Sequence, residues 1–191
     1  QDLLKNTESL ENCIRRIQYR PFDFRYIFYH KSLVSGMSKP TMKHIRPDLD
    51  NIGLVISRTV RGAPWRDILA SRVLIEFGVM ATRPGNYAPM LPLYTYPSKD
   101  ELLFGSEKLC NLNKNFIKDI SEKLSLKWID EGRGDLKKEG TIGPEDIVAF
   151  IYSQLHSTKF RIRYAEFMRS EFPRIFQTNN MKLFLRLVEL G

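Results

Sequence analysis

Hydrophobic positions along this 191-residue chain follow two different rhythms. Up to residue 97 they come in short runs cut by turn formers, the spacing of β-strands. Residues 25–29 form one such run, after the turn Pro21-Phe22-Asp23. Residues 51–60 are the best strand candidate, ended by Gly62-Ala63-Pro64; residues 72–80 are another, and 92–96 close the series before Pro97. The links at 34–50 and 58–72 are long for hairpins, and long ordered loops on a sheet are where binding residues tend to sit.

After residue 105 the period becomes 3.6. Leu109, Leu112, Phe116, Ile117, Ile120 and Leu124 share one helical face, and that helix gives way near Gly132-Arg133-Gly134. Residues 130–143 are polar and Gly-rich, the composition of an exposed loop. Gly143 before Pro144, with Glu145 and Asp146 at the positive end of the dipole, predicts the next helix, whose apolar face is Ile147, Val148, Phe150, Ile151 and Leu155. Ser157 or Thr158 caps a third helix carrying Phe160, Tyr164, Phe167 and Met168 and ending at Phe172-Pro173. Asn179 or Asn180 caps a last one through Leu183, Phe184, Leu187 and Val188. The pattern predicts an α+β fold: an N-terminal basic, twisted mixed β-sheet with long loops over 1–104, then a helical subdomain over 105–191.

Composition narrows the picture. A hydrophobic fraction of 42% with 12% aromatic residues excludes a disordered chain. No apolar run approaches the roughly 20 residues of a membrane span, so no membrane partner is expected. The polar start lacks a signal-peptide profile, and a chain opening on helix-like residues without an initiator Met reads as a piece of something longer. Cys13 and Cys110 lie far apart, and His30, His44 and His156 are scattered, so no zinc-ligand spacing exists and a reducing cytoplasm is expected.

Charge changes the picture most. Residues 12–90 carry ten arginines and three lysines against five carboxylates, which accounts for the whole net charge of +8. Arginine's planar fork suits bidentate recognition of phosphate and guanine. A strand-rich, arginine-rich half points to a nucleic-acid surface; a merely solvated basic face is the other reading. Lys43, His44 and Arg46 form one cluster, after Lys39-Pro40-Thr41; Arg58, Arg61, Arg66 and Arg72 surround Pro64-Trp65, which would set an aromatic among guanidinium groups. We expect these seven basic residues to face a duplex, Arg58 and Arg61 reading bases and Lys43 and Arg46 holding phosphate. Tyr19, Phe22, Phe24, Tyr26, Phe28 and Tyr29 read as core and strand packing rather than stacking platforms.

Catalysis finds no support. There is no Gly-rich strand-to-helix loop for a nucleotide and no Ser-His-Asp or Cys-His grouping, and His156-Ser157 reads as a helix cap. Pro47-Asp48 and Asp135-Leu136-Lys137 are too far apart, and the second falls in a polar loop where a metal-dependent nuclease places a strand. No Asn-Pro, the start of the usual adenine-modifying motif, occurs.

Two strings resemble a known family. One is Tyr19-Arg20-Pro21-Phe22-Asp23-Phe24-Arg25-Tyr26-Ile27-Phe28-Tyr29; the other is Ile147-Val148-Ala149-Phe150-Ile151-Tyr152-Ser153-Gln154-Leu155-His156-Ser157, continuing through Arg161, Tyr164-Ala165-Glu166-Phe167 and Glu171-Phe172-Pro173-Arg174-Ile175. Between them Asn51-Ile52-Gly53-Leu54, Ser57-Arg58 and Leu91-Pro92-Leu93-Tyr94 fall in order. Together they are similar to the C-terminal specificity domain of type ISP restriction–modification enzymes and their N6-adenine methyltransferase relatives. The likeness runs from about residue 18 to 190, departs at Thr158, where relatives commonly carry proline, and is weakest over 31–50 and 61–90. That weakest part is where a recognition domain would encode its own DNA site. The resemblance implies that the domain binds an asymmetric double-stranded DNA sequence and directs adenine methylation and cleavage performed by other domains. It implies no catalysis by the domain alone and contact with a methyltransferase domain of the same polypeptide. The parent's S-adenosylmethionine, ATP and magnesium would not bind here. The rival expectation is a protein-docking module with an incidental basic face.

Overall fold

A computed structural model of the chain describes residues 10–57, 65, 68–80, 87–97 and 108–191. The fold is α+β. Strands β1 (Ile14–Arg20) and β2 (Asp23–Phe28) make an antiparallel hairpin, and β1's other edge runs parallel to β5 (Leu74–Ile75). Strand β3 (Gly53–Ile56) lies between β4 (Ile68–Ser71) and β6 (Met90–Pro92), antiparallel to both. Two further pairs are β7 (Tyr94–Thr95) with β8 (Leu109–Cys110) and β9 (Lys127–Trp128) with β10 (Thr141–Ile142). Helices are α1 (Lys39–Met42), α2 (Lys114–Leu124), α3 (Pro144–His156), α4 (Thr158–Arg163), α5 (Ala165–Ser170) and α6 (Met181–Leu190).

In place of the one twisted sheet expected from the sequence, the described residues form four small sheets of two or three strands. Proline explains part of this: Pro89 precedes β6, Pro92 ends it and Pro97 follows β7, each withholding the N–H a ladder needs. Only Leu74–Ile75 of the run 72–80 pairs, and β4 arises inside the segment read as a loop. Leu109 belongs to a strand. Helix α2 begins later, where the Asn113 side chain accepts the N–H groups of Asn115 and Phe116, and it ends at Ser125 in the left-handed region, φ 53°. Helix α3 starts at Gly143-Pro144 as its local chemistry dictates, while Tyr164 splits the third predicted helix into α4 and α5.

All four residues of β3 are buried, because both its faces are covered. Val55 packs with Ile45, Ile75, Val79 and Met90 on one side. Leu54 and Ile56 join Ile68, Leu93 and Tyr94, and this cluster takes in Val148 and Leu155 of α3 and Met168 of α5. The other side of α3 presents Ile147 and Phe150 to Ile120, Phe184 and Val188, with the Phe150 and Phe184 rings 4.9 Å apart. Burying such a side chain contributes about 1.5–3 kcal/mol. The core thus crosses the expected 104/105 division through α3.

Buried polar side chains fasten the loops to this core. The Asn51 amide donates to the carbonyls of His44 (2.9 Å) and Tyr94 (2.8 Å), and its oxygen accepts the N–H groups of Ile52 and Tyr94. The Asp146 carboxylate, 2% exposed, accepts the N–H groups of Gly134 (2.7 Å) and Gly143 (2.9 Å). That bond to Gly143 caps α3 and fixes the loop at 130–143, which is therefore anchored rather than loose. Gln154 pairs with both backbone groups of Phe176 like a neighbouring strand.

Candidate nucleic-acid interface

The segment after β2 is tied down before it presents any charge. The Tyr29 N–H donates to the Cys13 carbonyl at 2.7 Å, and its phenol donates to the Met37 carbonyl at 2.7 Å. Burial pushes that phenol's pKa up, partly offset by the charge of Arg15. Ser38, with φ 44°, turns the chain into α1, and Ile45, 3% exposed, roots the segment in the core. Lys39 and Lys43 are four residues apart and stand on one side of this turn. They line a cavity of about 490 Å³ with Arg46 and, from β1, Arg15; Met42, Ile45, Leu74 and Tyr29 supply its apolar floor.

No carboxylate lines this cavity. Like charges at helical spacing repel each other, so four cations around one concavity are at their most stable with an anion present. Asp48 lies just outside and pairs with Arg46 at 2.5 Å. Partial burial raises the Asp48 pKa, but the Arg46 hydrogen bond, its own backbone amide and the charges of Arg46 and Arg15 outweigh this and hold it below the usual value. Both side chains are largely exposed, so the pair is weak and readily exchanged for another anion.

The structure brings Lys43 and Arg46 together and separates other expected members. His44 is a correction: it is 7% exposed, its Nδ1 accepts the Tyr96 N–H at 3.0 Å, and its ring is therefore a fastening of the core. Trp65 is another. It is 3% exposed and its indole N–H donates to the Ser57 carbonyl, so it offers no ring to a ligand. Arg72 pairs with Asp50 at 2.7 Å and lines a separate cavity of about 250 Å³, near Arg133, Glu145 and Gly191. Arg58, Arg61 and Arg66 lie outside the described residues. The sequence reading missed Arg15, although alternation along β1 sets it opposite Arg16, and left Lys39 as a neighbour only.

The aromatic reading also needs correction. Phe22 is 96% exposed and Tyr26 76%, so neither packs in the core. Elsewhere, among the described residues, no group of three His, Cys, Asp or Glu stands where a metal could be held, both cysteines are free, and no helix is long and apolar enough to cross a membrane.

A family model described as the Type ISP C-terminal specificity domain matches residues 1–191. No curated protein matches. Among solved structures the chain is similar to DrdV in a complex with DNA seen by cryo-electron microscopy, with a TM-score of 0.68 and 24% identity over 97% of this chain and 16% of that one. It is similar to LlaBIII, an ATP-dependent type ISP restriction–modification enzyme bound to DNA, at a TM-score of 0.63 and 18% identity over 93% of this chain and 10% of that one. A nuclease-deletion mutant of the type ISP enzyme LlaGI with a DNA substrate mimic gives a TM-score of 0.60 and 20% identity over 96% and 14%. The chain therefore spans less than a fifth of each of these proteins, and what they share with it is the fold.

Proposed function

Since the chain belongs to the family of type ISP C-terminal specificity domains, we propose that it reads a double-stranded DNA sequence and that Arg15, Lys39, Lys43 and Arg46 hold the phosphate backbone while it does so. The observation that carries this reading is the cavity lined by four cations and no carboxylate. Phosphate contacts position a protein on the duplex without reading it, so bases are read by other side chains, with Arg58, Arg61 and Arg66 of the sequence as the candidates. Arg72 lines a separate cavity and lies outside this contact. Methylation of adenine and cleavage of DNA fall to other domains of a larger polypeptide, which use S-adenosylmethionine, ATP and magnesium. Specificity is what this family supplies. The helical part has the second task of resting against the methyltransferase domain, and the compartment is the bacterial cytoplasm.

The test is titration of a labelled duplex with the chain and with its Lys43→Ala, Arg46→Ala double variant. The expected result is weaker binding of every sequence alike, since backbone contacts carry no sequence information. Unchanged affinity in the double variant would remove the cavity from the interface.

A further inference from the structure

The hairpin of β1 and β2 leaves most of one face exposed around a buried Gln18. Register sets Ile14 opposite Phe28, Arg16 opposite Tyr26 and Gln18 opposite Phe24. The other face turns Ile17 and Ile27 toward a cavity of about 720 Å³. On the first face Ile14, Phe24 and Tyr26 are 53%, 45% and 76% exposed, and at the tip Phe22 stands almost wholly in solvent. Exposed rings grouped in this way mark a contact surface. Its charge says what kind. Arg16 is its one arginine and it bears no carboxylate, because register sets Arg25 opposite Ile17 on the other face, where Arg20 and Asp23 pair beyond the bulge.

Three arginines of the hairpin lie over rings: on this face Arg16 is 4.4 Å from the centre of Phe24, and on the other Arg20 and Arg25 are 4.2 and 3.9 Å from that of Tyr19. Stacking fixes a guanidinium in place while leaving its N–H edge for an anion. Arg16 has no ion pair among the described residues, whereas Arg20 meets Glu76 and Arg25 meets Asp23. A two-stranded ribbon fits a DNA groove, and apolar tips wedged between base steps are how architectural proteins kink a duplex.

We propose that this hairpin is a DNA-inserting arm: Arg16, stacked on Phe24, holds a phosphate beside a groove, and Phe22 wedges between base pairs. The proposal rests on the reading of the chain as a binder of duplex DNA and adds an element remote in character from the Lys43 cavity. Phosphates, rather than an acidic protein surface, match an arm whose exposed face carries one arginine stacked on a ring and whose apolar tip is one ring wide.

The experiment uses the whole chain and a short duplex carrying a fluorophore pair at its two ends, read for affinity by anisotropy and for bending by energy transfer. Wild type is expected to bind and to shorten the end-to-end distance. Phe22→Ala should lose the shortening and bind about tenfold more weakly, the scale of one lost ring–base stack, with the salt slope unchanged. Phe22→Leu, which keeps an apolar wedge, should retain most of both. Arg16→Ala should keep the wedge and lower the salt slope by about one. Phe22 touches little of the fold, so equal melting temperatures for the variants are the control. If wild type and Phe22→Ala bind and bend the duplex alike, the arm is overturned while DNA binding stands, and the face fits a neighbouring protein domain instead. If wild type binds no duplex, the arm falls together with the reading beneath it.

Discussion

Lys43 and Arg72 both belong to the basic half of the sequence, yet the cavities they line handle charge differently. The first is lined by Arg15, Lys39, Lys43 and Arg46 with no acid among its walls. In the second, Arg72 is met by Asp50 at 2.7 Å, and Arg133 faces Glu145 at 4.0 Å beside the helix that joins the two halves of the core. One gathers four cations, of which only Arg46 has an ion pair among the described residues, with Asp48 at the rim. In the other both arginines are paired. Composition alone, ten arginines in one stretch, does not distinguish them; the placement of two or three carboxylates does.

The contrast can be broken from the structural side first. Asp146→Ala removes the acceptor for two buried N–H groups at the joint between halves, and each unsatisfied donor costs about 1–3 kcal/mol. We expect a loss of about 3 kcal/mol in urea unfolding, with the salt slope of any duplex binding unaltered. Next in size is Lys39→Ala with Lys43→Ala, which should weaken binding of all duplexes while leaving the melting temperature within a degree or two of wild type. Arg72→Ala should show the reverse: an exposed ion pair contributes about 0–1 kcal/mol, so stability falls slightly and DNA affinity stays as it was.

Asp48→Asn gives the smallest effect and the sharpest sign. It frees Arg46 and takes a negative charge from the rim, so duplex affinity should rise, by up to about fivefold at low salt. The Asp48 pKa is depressed in the fold, so its pairing with Arg46 is intact above the ordinary carboxylate value and is lost only as pH falls through the folded pKa. Between pH 5 and 8 its contribution to stability and to binding should therefore be flat.

What could be read from the sequence was what depends on near neighbours. The start of α3 at Gly143-Pro144, the Ser157 cap of α4 and the Asn180 cap of α6 are decided within three or four residues, and each is found in the fold. Leu109 fitted the helical face just as well as Leu112, but its pairing with Thr95 across the chain made it strand. His44 shared the basic string around it, and only Tyr96, 52 residues later, draws it inside. Phe22 and Tyr26 are the converse case. Aromatic residues in a strand usually pack, and nothing local reveals that one face of this hairpin stays bare. The Lys43–Arg46 half of the candidate site was legible because it sits in one short loop; Arg15 reaches it only through β1.

The central claim is that the Lys43 cavity, and not the Arg72 cavity, carries the phosphate contacts. Its most direct test is the dependence of duplex affinity on salt concentration for wild type, for the Lys39→Ala, Lys43→Ala, Arg46→Ala variant and for the Arg72→Ala, Arg133→Ala variant. Each lost phosphate contact lowers the slope by about 0.9, so the first variant should lose about 2–3 of its slope and the second none. Equal slopes in all three proteins, or a loss confined to the Arg72 variant, would contradict the account.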